Sequence, residues 1–284
     1  MLGIAGTIPM EDVPLLTGRL TMSDGDILIE GRRIPVSRGT SALIGAAVKT
    51  SEALGTPEPF GYIVGDIGRG VGSRHLYKHL VDTFAESAFH TFTFHYLQPI
   101  VHWHNRLQQV IQEMDKRPVL VADAGFMYVA KMSGHAPMYD LFTPDIGELA
   151  FLADEMAPHP FYTRGFILHE ENRVADLIAR AYEHNNAARF LLVKGEKDCL
   201  ADREGILCEV DGPVEEAMEA IGGTGDTLTG IVSALICSGM DMKEAAAVAM
   251  RTNRLAGYYS RPTPATQIID IIRHIPRALE DTLG

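Results

Sequence analysis

The chain has 284 residues, 46% of them apolar and 22% charged, with a net charge of −12 at pH 7. That length and composition suit one large α/β domain and exclude a disordered chain. The acidic balance argues against a nucleic-acid partner, because counterion release at phosphates calls for a basic surface; a nucleotide stays open, since a few backbone N–H groups and a lysine can hold its phosphates.

In chain order, short apolar runs alternate with longer amphipathic ones. Leu2–Ala5 reads as a strand, Ser41–Leu54 as a helix and Phe60–Val64 as a strand. A helix over Ser73–Thr83, a strand over His90–His95 and a helix over Val101–Met114 follow. The second half repeats the rhythm: strands at Val119–Val121 and Leu141–Phe142, a helix at Asn172–Glu183, and a buried strand at Phe190–Val193. A hairpin over Cys199–Val210 turns at Asp202–Gly205, and helices at Asp226–Ser238, Lys243–Tyr258 and Ile268–Leu283 close the chain. This alternation predicts βαβ crossovers, a mainly parallel central sheet covered on both faces, and ligands bound at the carboxyl ends of its strands. Thr17–Ser37 breaks the rhythm with a hairpin-like segment that reads as either a small β lid or a surface excursion. The whole of 1–284 is expected to be a single domain.

Cys199, Cys208 and Cys237 lack metal spacing and read as reduced, mostly buried thiols. The N-terminus lacks the basic start and long apolar stretch of a signal peptide, and no run approaches the ~20 apolar residues of a membrane span. The expected compartment is therefore the cytoplasm, with no membrane partner.

The stretch richest in chemistry is Gly222-Gly223-Thr224-Gly225-Asp226, ahead of a helix whose apolar face carries Leu228, Ile231, Val232, Leu235 and Ile236. Glycines there let the backbone approach a ligand, and helix-start N–H groups suit a phosphate or the charge developing on one. Asp226 is either a helix cap or a base that takes a proton from a substrate hydroxyl as phosphate arrives.

GGTGDTLTGIVSAL resembles the anion-hole and catalytic-Asp motif of the ribokinase superfamily, and in particular the carbohydrate-kinase-like NAD(P)H-hydrate dehydratases. AAAVAMRTNRLAG, FTPDIGELAFL and LLVKGEKDCLADREG are similar to further blocks of that branch, covering Thr143 to Gly257. GYIVGDIGRGVGSRHLYKHL, SRPTPATQI and the Thr17–Ser37 segment resemble ribokinase and phosphofructokinase-B sugar kinases instead. Both branches imply a three-layer αβα fold and use of ATP or ADP with Mg²⁺ on a small hydroxyl compound. Association into a homo-oligomer stays open.

Carried onto this sequence, the resemblance implies that Asp226 is the proton-transfer group and Gly223, Thr224 and Gly225 the anion hole. Lys194 and Gly195 would line the nucleotide phosphates, with Glu196, Lys197 and Asp198 continuing that loop; Glu148 would organise Mg²⁺ through water, with Asp145 at the matching polar position. Asp145-Ile146 stands where the dehydratases usually have His-Pro, and GTSALIGAAVK lacks the sugar kinases' usual Asn. The leading expectation is phosphorylation of a hydrated nicotinamide followed by elimination. The alternatives are a kinase for a small alcohol and a nucleotide-binding regulator without catalysis. Asp12 and Asp66 follow the first two predicted strands and are candidate acceptors from substrate hydroxyls. His75 and His79, and His102 and His104 around Trp103, read as packing or surface groups; Gly68, Gly70 and Gly72 form GxGxG rather than a dinucleotide-binding GxGxxG.

Overall fold

The computed structural model describes residues 1–159 and 174–284, so the expected helix start at Asn172 lies outside the described residues. Six strands form a parallel block: β1 (Leu2–Ile8), β6 (Phe60–Gly65), β7 (Thr91–His95), β8 (Val119–Asp123), β9 (Leu141–Phe142) and β10 (Phe190–Val193). Three antiparallel strands complete the sheet at its edges: β2 (Leu16–Arg19) beside β6, then β11 (Asp198–Asp202) and β12 (Gly205–Val210) beyond β10. The order is β12-β11-β10-β9-β8-β7-β1-β6-β2. Strands buried on both faces should read as unbroken apolar runs, and Phe190–Val193 does so at every position.

The pleat sends alternate side chains to two separate cores. Leu191 and Val193 join a core built with α2 (Val71–Thr83), α3 (Val101–Gln112), α4 (Gly125–Met132), α5 (Ile146–Ala153) and α6 (Val174–Glu183). Phe190 and Leu192 join the opposite core, built with α1 (Thr40–Leu54), α7 (Thr224–Cys237), α8 (Met242–Ser260), α9 (Ile268–Ile272) and α10 (Ile275–Leu283). The first core is aromatic, with Phe94 and Phe126 stacked at 4.2 Å between ring centres. The second is aliphatic, and its centre is the α1–α7 pair. There Gly230 lies so close to the Leu43 carbonyl that a Cβ could not be added without moving one helix.

Several boundaries differ from the sequence reading. The C-terminal helix is two helices because Pro276 lacks an N–H and its ring would clash with the carbonyl of Ile272, four residues earlier. α7 begins at Thr224 with Gly223 at the N-cap, so Asp226 lies inside the first turn rather than at the cap. β8 runs on to Asp123, two residues beyond its expected end. α4 and α5 had not been anticipated.

The Thr17–Ser37 segment is not a free hairpin. Its first residues belong to β2, on the edge of the main sheet, and only β3 (Thr21–Ser23), β4 (Asp26–Ile29) and β5 (Arg32–Pro35) form a small separate sheet. Ile27, Ile29 and Ile34 of that sheet are fully buried against Leu43, Ile44 and Val48 of α1. Exposing three such side chains would cost roughly 5–9 kcal/mol at 1.5–3 kcal/mol each. The small sheet is therefore anchored core structure, and no residue of 17–37 lines the cavity described next.

Candidate active site

At the carboxyl end of the parallel strands opens a cavity of about 770 Å³, within the range of small-molecule sites. Asp123 lines it, and behind Asp123 the sheet register places a buried row of residues side by side. Gly6 of β1 pairs with His95 of β7, and His95 pairs with Asp123 of β8. Over this row stands the first turn of α7, with Thr224, Gly225 and Asp226 on the cavity wall. First-turn N–H groups have no acceptor within their own helix, so this turn offers donors to an anion. Asn253 of α8 clamps the turn: its amide donates to the Thr224 carbonyl at 3.0 Å and accepts from the Thr227 hydroxyl at 2.7 Å.

Asp226 is 14% exposed and held from two sides. Gly39 N–H donates to its Oδ2 at 2.7 Å, and His95 Nε2 lies 3.0 Å from its Oδ1. Burial pushes the Asp226 carboxyl up, but His95, Lys194 and the Gly39 N–H outweigh it and hold it below the usual carboxylate range. The group is therefore ionised and ready to accept a proton.

Asp123 is fully buried and takes the Lys194 ammonium in a bidentate contact at 2.8 and 3.0 Å. It also accepts from the Thr229 hydroxyl at 2.6 Å and the Ala124 N–H at 2.8 Å. Burial works against the Lys194 charge, yet Asp123, Glu148 and Asp226 more than offset it and hold its pKa above the ordinary lysine value. Glu148 is different. Burial pushes its carboxyl up to about 8, Lys194 opposes, and Asp123 and Asp145 add to the rise. Tyr128 donates to its Oε1 at 3.2 Å, and the Asp145 N–H to its Oε2 at 2.9 Å.

The sequence profile of the carbohydrate-kinase family, described as NAD(P)H-hydrate dehydratase, matches residues 100–277, well over half of the chain. An uncharacterised protein of Methanocaldococcus jannaschii is 41% identical over 85% of this chain and 100% of its own length. The chain belongs to the carbohydrate-kinase family of NAD(P)H-hydrate dehydratases.

A bifunctional NAD(P)H-hydrate repair enzyme of Pyrobaculum aerophilum is 27% identical over 92% of this chain, and the match spans half of that longer relative. The solved ADP/ATP-dependent NAD(P)H-hydrate dehydratase of Bacillus subtilis shares the fold, with a TM-score of 0.58 and 16% identity over 99% of this chain and 91% of that one. The ribokinase-like αβα architecture expected from the sequence is thus present.

Within this family fold, the expected site residues divide. Asp226, Thr224, Gly225, Lys194, Gly195, Glu196, Glu148 and Asp145 converge on the cavity. Gly223 stands at its edge as the N-cap of α7. Asp198 reaches the cavity, but its carboxylate is already taken by Arg254 Nε at 2.8 Å and the Gly195 N–H at 3.1 Å. Arg254 also donates to the Gly195 and Glu196 carbonyls, so the pair braces the loop rather than reaching for phosphate. Lys197 is exposed and outside the lining. Asp145 caps α5 in a reciprocal capping box with Glu148.

Asp66 and Asp12 also lie outside the cavity lining. Asp66 accepts four hydrogen bonds, from Gly68, Gly70 and both the N–H and hydroxyl of Ser73. Burial opposes but those donors win, so its carboxyl is held low and spent on the entry to α2. Asp12 is exposed, and its carbonyl accepts from Arg32 at 3.3 Å.

Sequence reasoning missed His95, Asp123, Thr40, Thr229, Asn253 and Arg254. His95 and Asp123 each end a strand at the carboxyl side, and that position was the available signal. Among the described residues, no helix is long and apolar enough to cross a membrane.

Proposed function

We propose that this protein is a nucleotide-dependent NAD(P)H-hydrate dehydratase in which Asp226 is the proton-accepting group. The observation that carries this reading is the Asp226 carboxylate in the first turn of α7, held by Gly39 and His95 and facing a nucleotide-sized cavity walled by Lys194 and Glu148. ATP or ADP would lie along the Gly195–Glu196 loop with its terminal phosphate against the N–H groups of Thr224 and Gly225. Asp226 takes the proton of the hydroxyl on the hydrated nicotinamide ring. The freed oxygen attacks phosphorus, and the phosphoanhydride bond breaks. Phosphate then departs with the C–O electron pair, and a proton lost from the neighbouring carbon restores the ring double bond.

The donor set suits Mg²⁺. Among the described residues both cations on the wall are already paired, Lys194 with Asp123 and Arg254 with Asp198, so a polyphosphate calls for further positive charge. Glu148, with Asp145 beside it, would hold the ion through water, and the ion would neutralise phosphate charge. Binding would then ionise Glu148, whose carboxyl is held up at about 8 in the free protein.

The second reading, a kinase for a small alcohol, draws on Asp145, which replaces the histidine usual in the dehydratases and accepts rather than donates hydrogen bonds. One assay separates the two. NADH hydrate is incubated with ATP or ADP and Mg²⁺ while the NADH absorbance is followed. Recovery of absorbance supports the dehydratase. No recovery, with nucleotide consumed on an added alcohol, transfers the case to the kinase. Asp226→Asn should lower turnover by roughly 10²–10⁴ while nucleotide binding persists; near-normal turnover would remove Asp226 from the mechanism.

A further inference from the structure

Behind Asp226 runs a buried hydrogen-bonded chain that the reaction described above does not use. His95 and Thr40 are 0% and 1% exposed. The Thr40 hydroxyl lies 2.7 Å from the Thr7 carbonyl and 2.8 Å from His95 Nδ1. A carbonyl only accepts, so the one hydroxyl hydrogen goes to Thr7, and Thr40 can meet His95 only as an acceptor. Nδ1 therefore carries hydrogen. On the other side of the ring, Nε2 faces Asp226 Oδ1 at 3.0 Å and Asp123 Oδ2 at 3.8 Å. A bare Nε2 lone pair against two carboxylates would be repulsive.

The charge balance points the same way. His95, Asp123 and Asp226 offer ligand atoms that all lie within 4.8 Å of one another. Asp123 is fully buried, and its own cation is Lys194. Two carboxylates this close in a protein interior call for two positive charges. Lys194 supplies one. The ring of His95 is the group placed to supply the other.

The fold is arranged to hold this ring. Gly6 pairs in register with His95, and a Cβ there would come within 2.6 Å of the Thr40 methyl and 2.7 Å of the His95 carbonyl. Only glycine lets α1 press its first turn onto β1 and set Thr40 against the imidazole.

We propose that His95 is the positioning residue of the catalytic base: doubly protonated and locked by Thr40, it fixes the Asp226 carboxylate and keeps it ionised. This rests on the reading of Asp226 as the proton acceptor. The groups facing the ring are Asp226 from α7, Asp123 from β8, Thr40 from α1 and the adjoining Tyr96, with Lys194 beyond Asp123.

The test is nitrogen NMR on the ligand-free, ¹⁵N-histidine-labelled protein, so a failed turnover assay does not bear on it. His95 is identified among the 11 histidines by the signals lost in His95→Gln. Should that variant not fold, Thr40→Val identifies it through a selective change at Nδ1. At pH 7 both His95 nitrogens should appear protonated. In Asp226→Asn, Nε2 should lose its hydrogen while Nδ1 keeps its own. A bare nitrogen in the wild type, or no change in Asp226→Asn, overturns the proposal. A second readout is the pH profile of turnover. His95→Gln should move its acidic limb upward, whereas a merely structural role would lower the rate equally at every pH.

Discussion

Glu148 and Asp226 are two carboxyls on one cavity wall that their surroundings drive in opposite directions. Asp226 gains a histidine, a lysine and a backbone donor; Glu148 loses water and faces Asp123 and Asp145. The Glu148 carboxyl is raised from an ordinary value of 4.5 to about 8. Between those values the native protein holds a proton that the unfolded chain has released. The unfolded state then binds fewer protons, so the contribution of Glu148 to stability falls as pH rises through that window. Glu148→Gln should therefore melt higher than wild type at pH 8.5, by about 1–2 kcal/mol, because the open cavity screens much of the full linkage effect. At pH 5 the two proteins should differ little. An equal difference at both pH values would refute this account. Asp226 was legible in the sequence because glycines precede it, and Lys194 entered through the family resemblance. Asp123 and His95 were not, because their meaning comes from partners 71 and 131 residues away.

Among the elements, the α1–α7 pair does most to define the site. Both helices begin at the carboxyl end of the sheet, and α1 brings Gly39 and Thr40 to the row of His95 and Asp123 while α7 brings Asp226. Their separation is set where Gly230 meets the Leu43 carbonyl. Gly230→Ala adds a methyl that backbone, not a flexible side chain, must yield to. It should destabilise the protein by about 1–3 kcal/mol in denaturant unfolding, outweighing the helix propensity gained from alanine. It should also reduce turnover by pulling Gly39 away from Asp226. Unchanged stability would show that the two helices can slide apart at little cost. The apolar spacing of α7 predicted its buried face correctly, but Gly230 could not be distinguished there from a merely tolerated helix glycine.

On the scale of the molecule, the cavity draws its walls from β8, α5, the loop after β10, α7 and α8, so a ligand in it ties most of the parallel block to the C-terminal helices. Mass action then predicts a large thermal shift. Mg²⁺ with ATP or ADP at 100 times its Kd should add about 2.7 kcal/mol, or roughly 4–5 °C for a domain of this size. The shift should shrink in Lys194→Ala. No shift with either nucleotide at millimolar concentration would remove the nucleotide from the proposed function. The sequence by itself determined the αβα class, most of the alternation of strands and helices, and the glycine-rich turn before Asp226, because hydrophobic periodicity and turn chemistry are local. Tertiary structure alone decided which charges meet. Sheet register set His95 beside Asp123, and the approach of α1 made a packed flank of the small sheet in a segment that read as either a lid or a surface excursion. Lys197 and Asp198 entered through the family resemblance, and Asp66 and Asp12 through their places after strands, yet whether each meets the cavity depended on partners that only the folded chain supplies.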